Sequence, residues 1–313
     1  MSEEYAESKE RWFARETSFA DEIGTFWGGD WGTASEVGRL KAVLLRRPGP
    51  EIENIGDPAQ WRWLAPMDPV KARREQDGLA EIYRQHGVKV YYVEEMHPRR
   101  PNALYLRDTV FMTPEGAIIA RHALEARRGE ERYAAQALAK LGVPIVRTIT
   151  GDGIFEGACA LWVDRETVIL GAGVRANESG TRQVREVLQW MGVKHFIPFQ
   201  IPYGHAHVDG LMNIMDRDLA IIFPWQTPYD VWVALKERGF QILEAPSVDE
   251  VKKTFGLNFV VLEPRQIVMP AGNPRTRAVL EAAGVTVIEH AVDEIMKGWG
   301  SIHCMTVFLK RED

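Results

Sequence analysis

The sequence predicts an α/β fold in which one supersecondary unit is repeated five times and closes into a ring, a fivefold pseudosymmetric α/β propeller built from ββαβ-type units. Two observations carry this. A helix-ending glycine followed by an apolar strand recurs in "QHGVKVYYV" at Gly87, "LGVPIVRTI" at Gly142, "MGVKHFIPF" at Gly192, "RGFQILEAP" at Gly239 and "AGVTVIEHA" at Gly284, about 50 residues apart each time, the period of a repeat architecture. Ahead of the second to fifth helices lie two short apolar runs joined by a turn, as in "ALYLRDTVFMTPEGAIIAR" and "FVVLEPRQIVMPAG". Each unit therefore reads strand, turn, strand, helix, strand.

Taken in order, residues 1–34 predict an added helix and loop outside the repeat, and residues 35–313 a single catalytic domain. Unit one offers "LKAVLLRRP" as a strand and a long stretch, residues 51–70, before its helix. Units two to five follow the pattern, with helical stretches such as "EERYAAQALAKL" and "PRTRAVLEAA" whose apolar residues recur at three and four. Each repeat glycine sits where a helix ends, because it adopts the left-handed C-cap conformation without penalty. The tail "HCMTVFLKR" is a surplus strand, which can pair into unit one and fasten the ring, leaving no open sheet edge. Two unrelated α/β domains form the alternative, although no Pro-, Gly- or Ser-rich linker divides the chain.

Composition bounds the function. With 313 residues, 45% hydrophobic and 26% charged, the chain is of ordinary globular type. Two cysteines, Cys159 and Cys304, are too few for a disulfide framework, and no N-terminal run resembles a signal peptide or membrane span, so the cytoplasm is the expected compartment. A net charge of -6 with interspersed basic residues gives no reason to expect nucleic acid. The expected partner is a small molecule, with no membrane and no nucleic acid.

Reactive side chains fall on the leading strands of successive units: Asp108 in "LYLRD", Glu156 in "GIFEG", His207 and Asp209 in "HAHVDG", and Cys304 in "SIHC" on the surplus strand. In a ring these positions converge. His205, His207 and Asp209 alternate with ligand-like spacing on one strand face, but an enclosed metal site needs a further ligand and an orienting shell, so no metal is expected. Cys159 in "ACALWV" reads as packing. Trp27, Trp31 and Trp299 lie in Gly-rich loops that can cover a site.

These motifs, Asn102 and Asp108 in "PNALYLRD", Glu156 in "FEG", His207 with Asp209 in "HVDG", and Cys304 in a Gly-rich C-terminal segment, occur in the order found in guanidino-group-modifying enzymes. The chain resembles that superfamily, which includes arginine deiminases, dimethylarginine hydrolases, agmatine deiminases and amidinotransferases, and is closest to arginine deiminase-like hydrolases. The resemblance covers roughly residues 35 to 313 and implies the pentein propeller, a cysteine nucleophile, no cofactor, and a homodimer or higher homo-oligomer.

The chemistry agrees with the set. A guanidinium is planar, permanently charged and offers a fork of donors, which two carboxylates, Asp108 and Asp209, can hold. Its carbon is weakly electrophilic, so Cys304 must attack as thiolate while His207, oriented by Glu156, protonates the leaving amine and later activates water. The resemblance further assigns Asn102, Arg121 and Arg175 to a substrate α-carboxylate, which favours L-arginine or a close derivative, with citrulline and ammonia or an amine as products. Glu156-Gly157-Ala158-Cys159 stands where arginine deiminases usually read Glu-Gly-Gly-Asp, the Arg-Thr pair after Arg175 is missing, and so is their large helical insertion. Amidino transfer to an amine, double hydrolysis to ornithine and a non-enzymatic propeller are the alternatives.

Overall fold

The computed structural model describes residues 16–312, so the first part of the expected N-terminal extension lies outside the described residues. Fifteen strands form five three-stranded sheets. The first contains β1 (Arg39–Leu45), β2 (Lys89–Tyr92) and the C-terminal β15 (Val307–Glu312), in the order β15-β1-β2. The second holds β3 (Val110–Thr113), β4 (Gly116–Ile119) and β5 (Ile145–Thr148), and the third β6 (Ala160–Asp164), β7 (Thr167–Ala172) and β8 (His195–Gln200). The fourth holds β9 (Met212–Asp216), β10 (Leu219–Ile222) and β11 (Gln241–Glu244), and the fifth β12 (Val260–Glu263), β13 (Gln266–Pro270) and β14 (Thr286–His290). This repetition is consistent with fivefold pseudosymmetry.

Every sheet is wired alike. Its first two strands are antiparallel and its last two parallel, joined by a crossover helix: Pro69–Gln85, Glu130–Leu141, Glu178–Trp190, Tyr229–Glu237 and Pro274–Ala282. The helices turn one apolar stripe to the sheets, as with Ala134, Ala137 and Leu138, or Val184, Val187 and Leu188. Burial falls across each sheet. The leading strands β3, β6, β9 and β12 and the middle strands are buried nearly throughout, whereas the last strands β2, β5, β11 and β14 are partly exposed. The leading strands thus face the interior, and their N-terminal ends are where chain segments far apart in sequence come together.

The tail pairs as the sequence implies: β15 runs antiparallel to β1, with bulges between Leu40 and Val43, and completes unit one. It also touches β3 of the second sheet, while β1 touches β12 of the fifth. Arg311 of β15 donates to the carbonyl of Val261 in β12 at 2.8 Å, so the last strand ties the first sheet to its neighbours on both sides. Before β1, a helix at Phe19–Phe26 is closed by a capping box between Ser18 and Asp21. The segment after it crosses β15 and β3, with Gly32 donating to Leu309 and Thr33 to Thr113. The 51–70 stretch forms two single turns, Pro50–Ile52 and Pro58–Trp61, before the first crossover helix. A short helix at Val248–Lys252 interrupts the run into unit five, which the repeat pattern did not indicate.

All five repeat glycines adopt positive φ, from 76° at Gly87 to 93° at Gly192. A side chain there is strained by the backbone alone, and at Gly142 a Cβ would also lie 2.3 Å from the carbonyl oxygen of Trp27, whereas at Gly192 it would meet nothing within 4 Å. Gly192→Ala is therefore expected to lower stability by about 1 kcal/mol, and Gly142→Ala by about 2 kcal/mol or more, in urea unfolding followed by circular dichroism. Equal losses at the two positions would show that the contact with Trp27 adds nothing.

Candidate active site

The reactive side chains stand not on the leading strands but just before them, a correction to the expectation from the sequence. Asp108 ends the 3-10 turn Leu106–Asp108 before β3, and Asp209 lies in the turn Val208–Gly210 before β9 with His207 at its N-cap. Glu156 caps the turn Gly157–Cys159 before β6, and Cys304 sits in a four-residue helix, Ile302–Met305, before β15. The reason is burial. Within these strands most side chains are enclosed by apolar neighbours, while a tight turn at the strand's start projects polar groups into the shared centre. The turns press together: a Cβ at Gly157 would come within 2.5 Å of the carbonyl oxygens of Arg107 and Val110, so only glycine fits.

Cys304 is 7% exposed and lies 3.7 Å from Asp209 Oδ2. The side-chain amide of Asn258, which precedes β12, donates to the sulfur and to Asp209 Oδ2, each at 3.2 Å, and its Oδ1 accepts the backbone N–H groups of His303 and Cys304 at 3.0 and 3.2 Å. Asp209 Oδ2 also meets His303 Nδ1 at 2.8 Å, and His303 Nε2 faces Glu36 Oε2 at 3.6 Å. Arg107, buried between Phe111 and Phe308, donates to Glu36 Oε1 at 3.1 Å.

The other wall is a second acid–imidazole group. His207 Nε2 lies 2.7 Å from Glu156 Oε2, and Nδ1 lies 3.5 Å from Asp108 Oδ1. Glu156, fully buried, also accepts from Ala123 N at 3.1 Å and Arg175 Nη1 at 3.0 Å, with His122 Nδ1 3.3 Å away. Arg127 binds Asp108 Oδ2 and forms a forked pair with Glu130, while Asp108 Oδ1 is a buried acceptor with no hydrogen-bond partner. The Arg127–Asp108 and Arg175–Glu156 pairs span the same sequence separation, 19 residues, so units two and three repeat an acid–arginine device.

Charge follows this geometry. Burial, reinforced by Asp209 and Asp108, pushes the Cys304 thiol well above the ordinary cysteine range, so the free site holds a neutral thiol. Burial opposes a charged His207, but Asp108 first and then Glu156 and Asp209 outweigh it, and the imidazole is raised above its usual value. His303 is likewise raised: Asp209 and Glu36 overcome the burial that disfavours its cation. Glu36 is brought down to about 2, because Arg107 and His303 together exceed the penalty of complete burial. Glu156 falls well below the carboxylate range against its burial, through hydrogen bonds from His122 and His207, and Asp209 falls through His303. The centre is a set of ionised acids matched by buried cations, with one neutral sulfur among them.

The structure brings together Cys304, His207, Glu156, Asp108 and Asp209, and places Arg175 directly on Glu156. Asn102 is buried with both ends of its amide committed, accepting from Trp63 Nε1 at 2.6 Å and donating to the Trp61 carbonyl at 3.1 Å. Arg121 is exposed and donates to the Gly153 carbonyl at 2.8 Å. The alternation of His205 with His207 on a strand face is corrected: residues 201–207 form no strand. A different trio, Asp108, Glu156 and His207, places three potential ligand atoms within 4.8 Å of one another. Arg127 and Arg175 already occupy oxygens of its two acids, which makes it a hydrogen-bonding corner rather than a closed coordination shell. Cys159 is wholly buried in the main apolar core. Trp31 is buried edge-on to Tyr91 and Trp27 packs on Phe19, whereas half-exposed Trp299 packs edge-on to Phe255.

Sequence reading missed Asn258, Arg127, His122 and Glu36. The repeat held a signal for two of them: Asn258 in "GLNFVV" stands where the other units carry their reactive residue, and Arg127 follows Asp108 at the separation by which Arg175 follows Glu156. Removing Arg127 strands two buried acids, so Arg127→Ala is expected to cost about 3–5 kcal/mol in urea unfolding, with Asp108→Asn in the same background recovering part of it. A loss below about 1 kcal/mol would mean that the pair is solvated.

Comparison with known proteins accords with this architecture. The family model for N,N dimethylarginine dimethylhydrolase, eukaryotic, matches residues 67–311. The N(G),N(G)-dimethylarginine dimethylaminohydrolase of Pseudomonas aeruginosa is 26% identical over 268 residues, covering 86% of this chain and 99% of the relative. A 2-nitroimidazole nitrohydrolase from a Mycobacterium species is 26% identical over 268 residues, covering 79% and 70%. The crystal structure of SxtG, an amidinotransferase from Microseira wollei, shares the fold with a TM-score of 0.75 at 16% identity, covering 91% of this chain and 98% of that one. No helix among the described residues is long and apolar enough to cross a membrane. The chain belongs to the N,N dimethylarginine dimethylhydrolase family, within the guanidino-modifying pentein superfamily of hydrolases that act on amidino carbon–nitrogen bonds and of related amidinotransferases.

Proposed function

We propose that this protein hydrolyses the guanidino group of an arginine derivative through a covalent intermediate on Cys304, with an N-methylated arginine or arginine itself as substrate and citrulline plus an amine or ammonia as products. The five sheets are read as closing into a propeller around the site. The observation that carries the proposal is a single one: Cys304 Sγ lies beside Asp209, in a centre that also holds the unpartnered Asp108 Oδ1 and the His207–Glu156 pair.

A flat cation that donates to Asp108 Oδ1 and Asp209 is held with its carbon before the sulfur, and its charge offsets the two carboxylates that keep the thiol neutral. The thiol then releases its proton to solvent. The thiolate attacks the guanidinium carbon, and the C–N bond breaks as His207 delivers a proton to the departing nitrogen. Glu156 holds the ring for this transfer. Water next attacks the thiouronium carbon and gives a proton back to His207. The C–S bond breaks, its electrons return to sulfur, the remaining hydroxyl proton passes to that sulfur to restore the thiol, and the ureido product departs. The family membership and the dimethylarginine-hydrolysing relative support the substrate class, and the two buried acids facing one sulfur support the reaction type.

A colorimetric ureido assay on purified protein with dimethylarginine, monomethylarginine, arginine and agmatine is expected to show citrulline from an arginine derivative, and Cys304→Ala is expected to reduce it to background. Turnover of none of these guanidines, or full activity without the cysteine, overturns the proposal. Because Asp108 raises His207, the alkaline limb of kcat/KM is expected above the ordinary histidine range and to move to lower pH in Asp108→Asn. An unmoved limb would assign the proton transfer to another group.

A further inference from the structure

The turn that opens the fifth sheet brings no acid, histidine or cysteine to the centre, yet its one polar side chain reaches the nucleophile. We propose that Asn258 is a catalytic residue of this site, a neutral donor to the Cys304 sulfur that supports the thiolate both when it attacks and when it is expelled. The proposal rests on the cysteine-nucleophile reading given above.

Five contacts define the role. Asn258 is 2% exposed, and its Oδ1 accepts from the backbone N–H groups of both His303 and Cys304, which fixes the start of the short helix carrying the sulfur. Its backbone carbonyl accepts a further bond from His303 N at 3.2 Å. With Oδ1 so committed, Nδ2 is aimed the other way, and its two hydrogens are shared between Cys304 Sγ and Asp209 Oδ2. A purely structural clamp requires only the oxygen. The nitrogen is placed on the reacting atom.

The chemical identity of the donor matters. The charged or titratable groups facing the sulfur are Asp209 from unit four, and Asp108 and Tyr105 from unit two; burial and the two acids disfavour its ionisation, the backbone at Ser301 and the Asn258 amide ease it, and Asn258 is the one side chain that does so. A lysine or arginine in this place would ease it more, but would repel the guanidinium that must lie against the same sulfur. An amide stabilises sulfur charge without that conflict. In the second half of the reaction the carbon–sulfur electron pair returns to Sγ, and the same N–H receives it. Asn258 also bonds Asp209 Oδ2, so it sets the spacing between nucleophile and guanidinium-binding acid.

Alkylation of Cys304 by iodoacetamide in the substrate-free protein tests this independently of turnover. At a fixed pH below the thiol's titration, Asn258→Ala and Asn258→Ser are expected to slow alkylation about tenfold to a hundredfold, the effect of losing one hydrogen bond to a charged group. Melting curves establish that each variant is folded. If neither folds, the wild-type protein gives the answer by NMR: the Asn258 side-chain amide resonance, assigned in wild type through its own backbone connectivities, is expected to shift on raising pH in wild type and not in Cys304→Ala. Wild-type alkylation rates in a folded variant, or an amide resonance indifferent to Cys304, overturn the proposal. Slowed alkylation in the Asn258 variants, together with a wild-type protein that turns over no guanidine, would instead reject the hydrolase reading and leave the donor role standing.

Discussion

Ionised carboxylates cannot be buried without partners, and the whole centre is arranged around that constraint. Glu36, Asp108, Glu130, Glu156 and Asp209 are all enclosed, and each is met by a guanidinium or imidazole: Arg107, Arg127, Arg175, His122, His207 or His303. Desolvation of an isolated carboxylate would neutralise it, and a neutral acid grips a guanidinium poorly. At Glu36, Glu156 and Asp209 the buried partners outweigh that penalty and keep the carboxylates charged, whereas at Glu130 burial still raises the acid. The only buried acid oxygen of Asp108 left over, Oδ1, is the one that faces His207.

The fold supplies the convergence. Each unit turns tightly into a leading strand, and the residue on that turn is delivered inward, so a cysteine, three acids, a histidine and an amide from distant parts of the chain meet at one centre. The C-terminal strand has two roles at once. By pairing with β1 it completes the first sheet, and the four-residue helix in front of it carries Cys304 to the position that the other units fill with acids or Asn258.

Much of this was legible. The five glycines, the hairpins between them and the surplus strand specify the unit and the pairing of the last strand with the first, because backbone conformation and hydrophobic alternation are local properties. Asp108, Glu156, His207, Asp209 and Cys304 were legible because each stands at one place in a repeated unit. What the sequence did not reveal is what burial does to neighbours. Arg127 looks like any surface arginine in "EARRGEER", and its enclosure depends on Glu130 and Asp108 closing over it. Asn258 carries no charge, so a search for titratable groups passes it by. Arg121, which the family resemblance assigned to a substrate carboxylate, is an exposed side chain that donates to the Gly153 carbonyl. The shift of Cys304 from strand to helix is of the same kind, since a four-residue turn leaves no periodic trace.

The central claim is that the Cys304 sulfur becomes bonded to the substrate's guanidino carbon. Rapid acid quench of turnover with dimethylarginine, followed by peptide mass analysis, tests it most directly. The account predicts that the peptide bearing Cys304 gains the mass of the substrate less that of the departed amine, and that the peptide bearing Cys159 does not. Steady turnover with both cysteine peptides unmodified throughout the time course would contradict it.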